Sequence, residues 1–153
     1  MFEAIDQLSG GSVSLRNSIV ANDKLATGVE CSPGMVTSLG YNLTGDATCG
    51  SATGDVVAAD PQLGPLRDNG GPTRTHYPDG ASPVIDAGAP GGCTDSSGFF
   101  SSEQRGQTRI VDGNGDTVAR CDIGSVERAP EPEGLWLAMG AFAVLGVLRH
   151  SHL

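Results

Sequence analysis

The stretch DGNGDTVARCD, residues 112–122, is where the side chains of this sequence come closest to a recognisable chemistry. Asp112, Asn114 and Asp116 fall on alternate positions, and Asp122 follows. Oxygen ligands on alternate residues, with glycines between them that let the backbone bend, can wrap a hard cation such as calcium. The pattern departs from an EF-hand at its sixth position, Thr117 instead of Gly, and at its twelfth, Ile123 instead of Glu. The same residues also suit an Asx-rich hairpin turn, in which side-chain oxygens serve the loop's own amides. Calcium held by Asp112, Asn114, Asp116 and Asp122 is one expectation and the plain turn is the other. No other cofactor is indicated.

Other chemistry finds less support. There is no GxSxG elbow to present a nucleophile. Of the three histidines, His150 and His152 lie in the terminal tail, and His76 sits in a turn-rich stretch beside Tyr77. His76 reads as a surface residue, with Asp79 or Asp86 as available partners, and no nucleophile is fixed beside it. Asp86, flanked by Ile85 and Ala87, reads as a carboxylate bonding backbone amides, because buried polar groups must find partners. No catalytic residue is assigned. Nine basic residues against eighteen acidic ones give a net charge of -9, with no basic patch to meet phosphates, so nucleic acid is not an expected partner. Asn42-Leu43-Thr44 matches a glycosylation sequon, which would matter only in a eukaryotic secretory pathway.

Cys31, Cys49, Cys93 and Cys121 form no CxxC pair, and no histidine stands at zinc-finger spacing. An even number of widely spaced cysteines fits two disulfides in an oxidising compartment. Three pairings are possible. The sequence-local one, Cys31 with Cys49 and Cys93 with Cys121, is expected, and four reduced buried thiols are the alternative.

The elements that would position these groups are short. With 23 glycines and 5% aromatics, the chain suits short strands and tight turns better than helices. No 3.6-residue apolar period runs between Leu8 and Glu127. SLRNSI (residues 14–19) and SLGYNL (residues 38–43) align at an offset of 24, placing Ser14 with Ser38, Leu15 with Leu39 and Ile19 with Leu43. Asn17 and Asn42 sit near the centre of each piece, where a turn needs a residue tolerant of left-handed geometry. A strand, an Asn turn, a second strand and a return loop would make one coil of a parallel β-helix, and stacked coils would bury an apolar column. Six prolines between Pro61 and Pro90 break any longer element downstream.

On these residues the chain resembles a known family. DPQLGPL, DNGGPTRTH, SPVIDAG, QRG and CDIGSVE, in that order between Asp60 and Glu127, are similar to the C-terminal region of choice-of-anchor Q proteins. The resemblance implies an all-β fold: the terminal coils of a right-handed parallel β-helix with a turn-rich, disulfide-linked C-terminal cap, then a single short transmembrane helix. It implies no characterised reaction.

The tail supplies the last part. Leu135 to Leu148 carries no charged residue. As a helix it would reach only about 21 Å against about 30 Å of hydrocarbon, a length that on its own favours a core helix. A Pro/Glu linker isolates it, no partner helix is evident, and Arg149 follows, as suits a cytoplasmic end. Pro130, Glu131 and Pro132, the apolar run and Arg149 together resemble a PEP-CTERM sorting signal. That likeness implies an exosortase-type processing enzyme as partner and the cell envelope of a Gram-negative bacterium as location. Such signals usually end in several arginines, and here one Arg is followed by two His. MFEAIDQLSGG lacks the features of a secretory leader, so the chain is expected to be the C-terminal piece of a longer secreted protein. The expected plan is residues 1–65 as terminal coils, 66–128 as cap, 129–133 as linker, 134–148 as anchor and 149–153 as basic tail. The expected function is a non-enzymatic secreted or surface-anchored protein, suited to adhesion or glycan contact. The alternative is the C-terminal part of a β-helix polysaccharide lyase or hydrolase whose active site lies upstream.

Overall fold

The computed structural model describes residues 11–21, 29–32, 34–95, 98–99 and 101–130. Glu131, Pro132, the apolar run at 134–148 and Arg149 lie outside them. Among the described residues no helix is long and apolar enough to cross a membrane.

The first third is built of short parallel strands. β1 (Val13–Leu15) pairs with β3 (Val36–Ser38), and β2 (Ile19–Val20) pairs with β4 (Leu43–Thr44), which in turn pairs with β5 (Val56–Val57). All three pairings are parallel. Each level of this stack is a rung. The expected offset of 24 holds at Ile19↔Leu43 but is 23 at Leu15↔Ser38. The second rung carries one more residue before its turn, in Leu39-Gly40. Leu39 is accordingly pushed out, 53% exposed, and does not stack on Leu15. The left-handed turn residues are Asn17 (φ 47) and Tyr41 (φ 57), so the expected Asn turn holds at Asn17 but falls on Tyr41 instead of Asn42, and Asn17 N donates to Gly40 O. From β4 to β5 the chain returns in only 13 residues, through the 3-10 turn Ala47–Cys49.

Both faces of the β2-β4 pair are covered, as is usual for parallel sheets, whereas at β5 one face is open and Val57 is 60% exposed. On one side Val20 joins Val13, Leu15 and Val36 around the buried Cys31–Cys49 disulfide. On the other, Ile19, Leu43 and Val56 form a ladder, one side chain per rung, packed against Val84 and Ile123 from the downstream segment. The turn-rich segment expected as a cap therefore lies along the flank of the rungs and touches all three. The physical cause is the second apolar face, which alternation along two-residue strands creates and which the rungs cannot bury themselves.

The flanking segment has little regular structure. One hairpin, β6 (Thr94–Asp95) with β7 (Gly98–Phe99), and isolated bridges such as Arg67↔Thr75 and Val111↔Arg120 are its only ladders among the described residues. The Cys93–Cys121 disulfide ties it together. Two glycines of the DNGG and SPVIDAG motifs are explained by contact. A Cβ on Gly71, already at φ 89, would lie 2.5 Å from the Arg105 Cα. One on Gly88 would lie 2.5 Å from the Cys121 oxygen.

Candidate functional site

In a segment with few ladders, backbone amides need other acceptors. Here buried carboxylates provide them. Asp86, at φ 53, accepts from Gly113 N at 3.1 Å, Asn114 N at 2.9 Å and Arg120 N at 3.4 Å. Asp122, fully buried, accepts from Asp86 N at 2.8 Å and Arg128 N at 2.7 Å. Its own N–H donates to Glu127 Oε2 at 3.1 Å, and Glu127 Oε1 accepts from Ile110 N and Val111 N. Glu103 binds the Arg105, Gln107 and Glu127 amides.

Arginines close the network. Arg105 pairs with Glu103 at 3.0 Å and donates to Glu127 O. Arg109 reaches the carbonyls of Asp122 and Gly124, with its Nε 3.7 Å from Glu127 Oε2. Arg105 and Arg128 both lie over the Tyr77 ring, at 4.9 and 5.6 Å, and the Tyr77 hydroxyl accepts the Ala129 N–H. The chain thus leaves this segment from a clamped position, and Pro130 is exposed.

Burial governs the acids. It pushes Asp122 up to about 7, helped by the neighbouring Glu127 and Asp86 charges and opposed by its amide bonds. Burial also raises Asp86 and Glu127. Asp46, which caps the 3-10 turn, goes the other way: burial acts to raise it, but bonds from Thr48 and Glu30 outweigh that and lower it.

Three of the four expected calcium ligands share one loop, but their oxygens are taken up by its amides. Asp112 spends its oxygens on the amides of Gly115, Asp116 and Thr117, Asn114 Oδ1 takes Asp116 N, and Asp116 Oδ1 takes Val118 N. Asp122 lies beneath the loop, beyond Asp86. Among the described residues no group of three or more His, Cys, Asp or Glu side chains could hold a metal ion. The loop has the form of the Asx-rich turn, the second of the two expectations.

Both disulfides are present in the sequence-local pairing, and no described cysteine is free. His76 is exposed, and its Nδ1 meets Gly64 O at 2.7 Å instead of Asp79 or Asp86. Asn42 is 1% exposed: Oδ1 accepts Ser18 N, and Nδ2 donates to Leu15 O, Ser38 Oγ and Asp55 Oδ1. It stitches the rungs and is closed to a glycosyl donor.

Between the rungs and the flanking segment runs an open groove of about 1220 Å³, with apolar Ile19, Leu63 and Ile123 and polar Arg74, His76 and Gln104 on its walls. Sequence reasoning missed Glu103, Arg109 and Glu127 as buried charges. For Glu127 the signal was its place in CDIGSVE, beside the apolar Cys121, Ile123 and Val126; Glu103 and Arg109 had no comparable signal. The chain matches no protein-family model, no curated protein and no solved structure.

Proposed function

We propose that this chain is the terminal part of a secreted, surface-directed parallel β-helix protein that acts by binding, not by catalysis. The observation that carries this reading is the stack of three parallel rungs, the first two offset by 23–24 residues and the third by 13, with the Cys31–Cys49 disulfide buried on one side. Disulfides suit an oxidising compartment outside the cytoplasm. The carboxylates of the flanking segment serve backbone amides, which accounts for them as structure. The groove between rungs and flank is the place where an extended ligand such as a glycan would lie; fold analogy supplies that ligand class. In this reading Pro130, Glu131 and Pro132 begin the sorting tail, the run at 134–148 enters the membrane, and an exosortase-type enzyme processes it.

Cell fractionation with thiol counting tests the proposal. The protein is expected in the envelope fraction with no reactive thiol until a reductant and denaturant expose all four cysteines. Recovery of the intact chain in the cytoplasm with reduced thiols would overturn it.

A further inference from the structure

Asn114 precedes Gly115 on the exposed loop, and the bonds there surround one carbon with the parts of a reaction. Asn114 Oδ1 accepts the Asp116 N–H at 2.8 Å, a side-chain turn that spans Gly115, and the same N–H also meets Asp112 Oδ1 at 3.2 Å. The Gly115 N–H donates to Asp112 Oδ1 at 2.7 Å. No residue beyond its chain neighbours comes within 4 Å of where a Gly115 side chain would start, so the loop is open there. Asn114 is exposed, and among the described residues its Nδ2 bonds to nothing.

We propose that Asn114 is a self-modification site, at which the Gly115 nitrogen closes on the Asn114 side-chain carbonyl to give a succinimide that water then opens. Asp112 takes the Gly115 amide proton as general base, worth about 10²–10⁴-fold in comparable settings. The nitrogen lone pair forms the N–Cγ bond, and the charge that develops on Oδ1 falls where the Asp116 N–H already points. A proton passes to Nδ2, the Cγ–Nδ2 bond breaks and ammonia leaves into solvent. Hydrolysis at Cγ yields aspartate. Hydrolysis at the main-chain carbonyl yields isoaspartate, which lengthens the backbone by one carbon in the loop whose amides hold Asp86 and Asp112.

The chain carries its own control at Asn69-Gly70. There Gly70 N also meets a carboxylate, Asp68 Oδ1 at 2.9 Å. Asn69 Oδ1 likewise has a donor, Arg67 Nε at 2.9 Å, so the two sites differ at the leaving nitrogen, which at Asn69 is tied to Thr75 O at 2.8 Å and Thr75 Oγ1 at 3.0 Å.

Peptide mapping of the full chain, incubated at neutral pH in the folded state and in denaturant, tests this. In the folded chain conversion at Asn114 should exceed that at Asn69 by roughly tenfold, the worth of the hydrogen bonds that hold Asn69 Nδ2, passing through a species lighter by one ammonia. Unfolding should slow Asn114 and erase the preference. Asp112→Ala, which adds no second Asn-Gly pair, should slow Asn114 by roughly 10²-fold or more without slowing Asn69. Equal folded rates at the two sites, a faster rate at Asn114 in denaturant, or no effect of Asp112→Ala would each overturn the proposal. The denaturant comparison needs no variant, so a misfolded mutant does not decide the result.

Discussion

Asp122 is the residue on which the flanking segment turns, because both of its oxygens and its own amide are committed inside the protein. Its ordinary pKa of 3.8 rises to about 7 in the fold, chiefly through burial. A carboxyl raised by folding binds its proton more tightly in the native state. It therefore contributes stability that is fully present below the unfolded pKa and lost as pH rises through about 7. Asp86 and Glu127 shift in the same direction. Asp46 shifts the opposite way and acts only at the acid end. Melting temperature should accordingly fall between mildly acidic and mildly alkaline pH. Asp122→Asn, which removes the titration and keeps an acceptor oxygen, should flatten that dependence. A wild-type melting temperature that rises over this interval would contradict the assignment.

Register belongs to the scale of the strands. The two six-residue pieces are legible as repeats, and the pairing Ile19↔Leu43 follows from their alignment. The single extra residue in Leu39-Gly40 is not legible, because identical Ser-Leu pairs score the same whether a residue is inserted before or after them. Packing decides it. Leu43 is fully buried between Ile19, Val56, Val84 and Ile123, whereas Leu39 is 53% exposed. Leu43→Ala should cost about 2–5 kcal/mol in denaturant titration. Leu39→Ala should stay within about 0.5 kcal/mol. Similar losses at the two positions would mean that Leu39 stacks on Leu15 after all.

The whole molecule is held by two disulfides, one in the rungs and one in the flanking segment, enclosing sequence separations of 18 and 28. Each should be worth about 3 kcal/mol through constraint of the unfolded chain. Because Ile19, Leu43 and Val56 pack on Val84 and Ile123, rungs and flank share one core and should unfold together. Replacing Cys93 and Cys121 by Ser should therefore lower the stability of the rungs as well, read as a single shifted transition. Two separated transitions would show that the shared core is weaker than its burial implies. Strand-and-turn character, the acidic balance and the alignment of Ile19 with Leu43 are readable without a structure, since each is set by composition or by neighbours close in the chain. The fold was needed to choose among the cysteine pairings, to lay the flanking segment alongside the rungs, to give Asp112 and Asp122 different backbone amides and to bury Asn42. Those outcomes depend on which distant amides and apolar faces were left without a partner, a quantity no local pattern carries.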